Sequence, residues 1–295
     1  MAKQSEEEIV AITSRPEFRI FTTLRFNQWN DADFRHEGIT MRKLFDSQLL
    51  DYHCDRLIAS ARAFTWTEVV ALLEREGKTY LYAGIDRAVS QYPMTPKKPA
   101  QGFFRAYRVR LNISREATID ITLAPMGDDK PWAELQSDNF NNFQLRNMAI
   151  GSMPPATCTV GIDKVATPAT TFTTHKTSYR DVYDAARDRS GITEFPPTQY
   201  EVLLYNNDNE ITEASLSTVY FYREGRWVTP AADCGGNIGV TRRLMLENGH
   251  AVEGRISMAD LAHGEIVGLS NGARGFFTGE LQMDRHSDGE TSASG

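Results

Sequence analysis

One lysine and one glutamate carry the chemistry this sequence could do. Lys176 lies in TTFTTHKTSYR, at the junction where a Thr-rich extended segment turns into a helix, and from residue 131 onward the only other lysine is Lys164, against eleven arginines. An amine fixed on a rigid element in a partly dry site can lose its proton and attack an aldehyde. A solvated surface lysine is the other reading of the same residue. Glu213, in NEITEASLSTVYF, falls in strand-like sequence where a carboxylate is either solvent-facing or paired. Facing a pyridine nitrogen, it would keep that ring protonated and so make it an electron sink. Two further segments suit an anion. In GGNIGVTRRL (235–244), glycines run into a helix start, so the N–H groups of Val240 and Thr241 behind Gly239 meet the positive end of a helix dipole. In HCDRLIAS (53–60), Arg56 on an amphipathic helix could clamp phosphate oxygens. Taken singly, the first is also an ordinary loop before a helix and the second a surface arginine beside a packed His53.

Hydrophobic period and turn chemistry give the elements that must hold these groups. Ser5 caps a first helical turn carrying Glu6, Glu7 and Glu8. Residues 18–26 (FRIFTTLRF) read as a strand and 27–37 as a polar loop. Apolar residues Leu44, Leu49, Tyr52, Leu57, Ile58 and Ala61 then recur at helical spacing, followed by a helix over 66–76. Pro93, Pro96 and Pro99 mark a loop, and 106–113 and 118–123 are strands about a turn at Arg115 and Glu116. A polar shift between 126 and 156 suits an interdomain connection. Beyond it come a strand (CTVGIDKVA), a helix over 176–189 with Tyr179, Val182, Tyr183 and Ala186 on one face, and strand runs at 200–205 and 211–222. Turns fall at 206–209 and 224–225, a helix over 241–247 and a last strand over 266–270. The expectation is an α+β protein of two domains, 1–126 and 157–283, joined by 127–156 and ending in a disordered tail, 284–295.

Composition narrows the function classes. With 32 basic against 39 acidic residues the net charge is −7, which disfavours a broad grip on nucleic acid or an anionic membrane. No apolar run is long enough to span a bilayer, and the acidic start lacks a secretory core, so a cytoplasmic location is expected. Cys54, Cys158 and Cys234 are too few and too widely spaced for a disulfide framework or a zinc site. They read as free thiols, with no metal expected.

Taken in order, the four segments resemble the class IV aminotransferase family, the fold-type IV enzymes that use pyridoxal 5'-phosphate. HCDRLIAS resembles the family's His-x-x-Arg-Leu helix, HKTSYR its lysine segment, EVLLYNNDNEITEAS its Glu-bearing strand pair and GVTRRL its phosphate-binding helix start. The resemblance runs from about residue 21 to 281 and implies a D-amino acid aminotransferase-like fold, a homodimer and a small-molecule substrate. It further implies that Lys176 holds the cofactor and then acts as base, that Glu213 pairs with the pyridinium, and that Arg56 with Gly239, Val240 and Thr241 binds the phosphate. FTTLR (21–25) and LSNGARG (269–275) are most similar to the aminodeoxychorismate lyase branch. That branch implies conversion of 4-amino-4-deoxychorismate to 4-aminobenzoate and pyruvate, a step of folate precursor synthesis. The alternative is a transaminase acting on a branched-chain, D-amino or aryl amine. A substrate with two carboxylates makes Arg25, Arg108 or Arg110, Asn271 and Arg274 candidates for orienting it, and Thr22, Thr23 or Tyr179 candidates for protonating the leaving group. Three positions depart from the family pattern: Tyr179 replaces an Asn after the lysine, Ser217-Thr218 stands for Ser-Asn, and Gly272 falls where the transaminase branch has a phosphate-binding Thr.

Overall fold

The computed structural model describes residues 5–29, 39–131, 134 and 155–283, with backbone alone for 39–48. The Ser5 hydroxyl accepts from the Glu8 N–H at 3.2 Å and caps α1 (Glu6–Thr13), so order begins earlier than the acidic run suggests. In β1 (Ile20–Trp29), Leu24, Phe26 and Gln28 are buried and Thr23, Arg25 and Asn27 are half-buried on the opposite face. That is the period-two pattern of a strand with one face on a core. β1 runs three residues into the expected loop, and 30–38 lie outside the described residues.

Two helices cover the sheet, α2 (Ile39–Ala63) and α3 (Thr67–Gln91). α3 is two helical pieces meeting at Gly77, whose φ of 60° strains any residue with a Cβ. The helix expected over 66–76 ends there. The piece beyond it was not anticipated, and it forms because Leu81, Ile85 and Val89 recur every four residues and bury completely or nearly so. β2 (Phe103–Ile113) pairs antiparallel with β1 and with β3 (Ile119–Pro125), and β4 (Lys130–Pro131) adds a short fourth strand against β2. Most of the expected connection, 127–156, and all of the expected tail, 284–295, fall outside the described residues.

The second half builds an eight-stranded mixed sheet from β5 (Cys158–Ile162), β6 (Tyr200–Tyr205), β7 (Ile211–Ala214), β8 (Thr218–Arg223), β9 (Arg226–Pro230), β10 (Ala251–Gly254), β11 (Ile266–Asn271) and β12 (Gly275–Leu281). Their order is β10-β9-β8-β11-β12-β5-β6-β7. The expected run 211–222 is two strands, because the chain turns at 215–217, where the Ala214 N–H donates to Ser217 O. β10 and β12 were not anticipated. Between β5 and β6 lie α4 (Thr171–Thr174) and α5 (Asp181–Arg189), and α6 (Val240–Glu247) precedes β10.

Lys176 therefore starts no helix. The Thr-rich segment before it is itself one helical turn, closed by a capping box between Thr170 and Thr173, and α5 begins five residues after the lysine. In between, the chain is extended and pinned to β1: the Phe21 N–H donates to Lys176 O at 3.0 Å, the Ser178 N–H to Arg19 O at 2.8 Å, and Ile20 bridges Thr177. Phe172 reinforces this seam by entering the first half's core, 5.9 Å from Phe18 and stacked 5.6 Å from Phe64 between ring centroids. Each such ring pair contributes about 0.5–1.5 kcal/mol beyond its buried area. The second half's own core is aliphatic around Val160, Leu203, Val219 and Leu269. Helices over one sheet, followed by a mixed sheet with short helices, make the fold α+β. Among the described residues no helix is long and apolar enough to cross a membrane, and the three cysteines are free and buried.

Candidate active site

A cavity of about 510 Å³ opens where the first half's sheet meets the seam segment and the loops of the second. Six cationic side chains line it, Arg56, Arg108, Arg110, Lys176, Arg180 and Arg274, against one carboxylate, Glu213. Such an imbalance suits an anionic guest.

The seam strand delivers Lys176 to the wall. Its Nζ stands 5.1 Å from the Phe21 ring centroid, and burial, reinforced by the charges of Arg56 and Arg180, pulls its pKa down to about 7. Much of the amine is then neutral at neutral pH, the state a nucleophile or base requires. Across the cavity, Glu213 on β7 is 8% exposed and accepts the Tyr183 hydroxyl at 2.7 Å and the Asn237 N–H at 3.0 Å, both on Oε1. Burial pushes its pKa up to about 7, against the opposing pull of those two hydrogen bonds and of Lys176.

Opposite signs of shift make a prediction about the protein without cofactor. Glu213 binds its proton more tightly folded than unfolded, so its contribution to stability falls as pH rises from about 4.5 to 7. Lys176 binds its proton less tightly folded, so its contribution rises from about 7 to 10.5. The difference in thermal midpoint between the parent and a Glu213→Gln variant should therefore widen in the variant's favour from pH 5 to pH 8. A flat difference across that range would contradict the assigned burial of the carboxylate.

Arg56 comes from α2 and is half-buried, with its Nε itself buried and without a partner among the described residues. Its Nη2 donates to the Thr22 hydroxyl, which in turn lies 2.5 Å from His53 Nδ1. Burial, with the charges of Arg56 and Lys176, holds the His53 pKa well below its usual value, so the ring is neutral, and its tautomer sets which of His53 and Thr22 donates. No carboxylate pairs with Arg56 among the described residues, and burial lowers its pKa to about 10. A buried cation without a counter-ion is an open anion site. The start of α6 meets the same cavity. Gly239 caps it without a side chain, and the N–H groups of Val240 and Thr241 have no partner among the described residues. The Thr241 hydroxyl accepts from Ser270 at 2.8 Å, which leaves its own hydrogen to donate elsewhere.

Glycines keep this corner open. A Cβ on Gly239 would sit 2.8 Å from Thr218 Oγ1, and one on Gly272 would sit 2.5 Å from Thr23 O and 3.0 Å from His53 Cε1, while the Gly272 carbonyl accepts the Arg25 N–H at 3.0 Å. Position 272 has no room for the threonine of the transaminase pattern. Gly272→Ala is expected to cost about 1–3 kcal/mol and, at roughly 2–4 °C per kcal/mol for a chain of this size, to lower the melting temperature by several degrees. An unchanged melt would show that β1 and β11 can part freely.

The remaining candidates divide. Thr23, Arg108, Arg110, Asn271 and Arg274 line the cavity. Arg274 is tied to Thr198 O and Thr157 Oγ1, and Asn271 folds its Oδ1 back onto the N–H groups of Ala273 and Arg274. Thr22, Arg25 and Tyr179 are not in the lining. Strand alternation turns Thr22 inward to Arg56, so it orients the guanidinium instead of meeting a substrate. Arg25 reaches Asn27 Oδ1 and the Phe104 ring. Tyr179 packs tilted against Phe172, 4.9 Å between ring centroids, beside Arg15. The tyrosine at the site is Tyr183, one helical turn further on, and Arg180 and His175 also line the cavity. All three flank Lys176 in sequence, and their proximity to it was the signal that could have found them.

The family model "Amino-transferase class IV" matches residues 40–278. A Schizosaccharomyces pombe protein named "Putative aminodeoxychorismate lyase" is 26% identical over 247 residues, covering 81% of this chain and 87% of its own. A Mesorhizobium loti crystal structure named "Putative amino-acid aminotransferase" superimposes with a TM-score of 0.56 at 22% identity, over 90% of this chain and 100% of the other. The 4-amino-4-deoxychorismate lyase of Pseudomonas aeruginosa gives 0.53 at 16% identity, over 96% and 88%. These two structures share the fold, and the family match spans Arg56, the start of α6, Lys176 and Glu213. The chain belongs to the class IV aminotransferase family.

Proposed function

We propose that this protein is a pyridoxal-phosphate enzyme that converts 4-amino-4-deoxychorismate to 4-aminobenzoate and pyruvate. The observation that carries the reading is the one cavity lined together by a neutralised amine, a buried carboxylate and a guanidinium with no carboxylate partner among the described residues. The residues suit that cofactor. Arg56 Nε and the N–H groups of Val240 and Thr241 lack partners and would take its phosphate, Glu213 needs a cation and would take its ring nitrogen, and Lys176 Nζ would hold its aldehyde carbon.

When bound, pyridoxal phosphate supplies a sink for the electron pair left on the amine-bearing carbon after its proton departs. Lys176 would be the base for that proton, and its pKa near 7 matches the task. Glu213 keeps negative charge beside the ring nitrogen, held in place by Tyr183 and Asn237. The Thr23 hydroxyl, facing the cavity from β1, can donate the proton that the departing enolpyruvyl oxygen needs. The ring becomes aromatic as the ether bond breaks, which drives elimination. The surplus of cations in the cavity favours a substrate with two carboxylates over a simple amino acid.

Incubation of the cofactor-loaded protein with 4-amino-4-deoxychorismate should release 4-aminobenzoate and pyruvate in equal amounts; a loaded protein that forms neither would end the lyase reading. A transaminase is the second reading, favoured by membership of the class IV aminotransferase family. Conversion of the bound cofactor to its amine form by an amino donor would select it. By analogy with the fold type, the working unit is a homodimer.

A further inference from the structure

The cavity cations not accounted for above differ in what occupies them. Arg274 is held by two acceptors and lies 3.7 Å over the Phe277 ring, and Arg108 is exposed at the mouth. Arg110 and Arg180 are different. Arg110 spends its Nε on Asn112 Oδ1 and lies 3.7 Å over the Phe21 ring, the same ring that Lys176 approaches. Arg180 gives Nη2 to Ser215 O at 3.1 Å and rests 4.8 Å over the Tyr183 ring. The remaining guanidinium N–H groups of both residues have no hydrogen-bond partner among the described residues. They stand close enough that the charge of Arg180 lowers the Arg110 pKa.

Arg180 also occupies an odd position. It is the N-cap residue of α5, where the helix dipole is positive and a Ser, Thr, Asp or Asn would be stabilising, and it makes no side-chain cap. Its ion-pair partner, Asp184, is 68% exposed and 3.7 Å from Nε, too solvated to neutralise a guanidinium that is itself 18% exposed, and Glu213, whose charge also reaches it, is already engaged by Tyr183 and Asn237. Two like charges facing one cavity, one of them placed against a helix dipole, are a costly arrangement unless an anion comes between them.

We propose that Arg180, with Arg110 opposite, binds a carboxylate of the substrate remote from its reacting amine, and so restricts this site to amines that carry such a group. The inference rests on the functional reading above, which it deepens by naming the residue that selects the substrate class. The planar guanidinium matches a carboxylate bidentately, which a lysine ammonium cannot do.

Calorimetric titration of the cofactor-loaded protein with 4-hydroxybenzoate and with phenol, which differ by one carboxylate and carry no reactive amine, tests it. The parent protein should prefer 4-hydroxybenzoate. Arg180→Met should weaken that ligand about 10- to 100-fold, leave phenol unchanged and retain the visible spectrum of the bound cofactor, which shows that the site still folds. Arg180→Lys should recover only part of the loss. An unaltered preference in Arg180→Met, or no preference in the parent, would overturn the assignment. The two readings can fail separately. If the parent discriminates through Arg180 yet leaves 4-amino-4-deoxychorismate intact, the lyase reading falls and the carboxylate site stands. If it turns that compound over while Arg180→Met changes neither KM nor the ligand preference, the reverse holds.

Discussion

Replacing Lys176 with alanine is expected to reduce turnover of 4-amino-4-deoxychorismate by at least about 10³-fold, since a positioned base alone contributes 10²–10⁴ and the variant loses the covalent anchor as well. The fold should survive. Lys176 is held by its backbone, through the Phe21 N–H and the Ile20–Thr177 bridge, and its side chain makes no ion pair among the described residues. Removing a buried amine whose protonated form is disfavoured should leave the melting temperature of the cofactor-free protein unchanged or higher at neutral pH. Loss of activity with an intact melt is the expected pair of results; a collapsed melt would assign the residue to structure.

Arg56→Met should separate binding from stability with opposite signs. Truncating one partner of a buried charge pair costs about 2–5 kcal/mol, so affinity for pyridoxal phosphate should drop roughly 30- to 4000-fold, as read by titrating the cofactor into the stripped protein. Without cofactor, the parent buries a cation with no counter-ion and an unpartnered Nε. A thioether of similar length removes that burden, and the stripped variant should melt at or above the parent temperature. Lower stability with unchanged cofactor affinity would mean that the Arg56–Thr22–His53 chain is a packing device.

Period and turn chemistry made much of this architecture readable. β1 alternates from Thr22 to Trp29, β2 from Tyr107 to Ile113 and β3 from Ile119 to Leu123, and the turns at 206–209 and 224–225 carry residues in left-handed conformations, Asn209 at φ 59° and Gly225 at φ 80°. Where local propensity and tertiary context disagreed, the reading went astray. TTFTT is rich in β-branched residues and looks extended, yet one capping box is enough to turn it. Gly77 is a true break, but the apolar stripe resumes after it. GFFTGEL, bounded by glycine, gave no clear strand signal and nonetheless pairs with both β11 and β5.

At the candidate site, spacing found the order of the segments but not the direction of side chains. FTT shows that one threonine must face each way, and only the docking of α2 decides that Thr22 meets Arg56 while Thr23 meets the cavity. Tyr179 and Tyr183 both looked like members of one helical face. The helix starts only at Asp181, so Tyr179 belongs to the extended seam and Tyr183 to the helix. Arg180 has no motif of its own, and its significance emerges only when Arg110, 70 positions earlier, is brought beside it.

The most direct test of the account is where vitamin B6 attaches. Protein incubated with pyridoxal phosphate, reduced with borohydride, digested and mapped by mass spectrometry should carry the phosphopyridoxyl group on the peptide containing Lys176 and on no other. A label on Lys164 or another lysine, or no label under conditions that saturate binding, would contradict it.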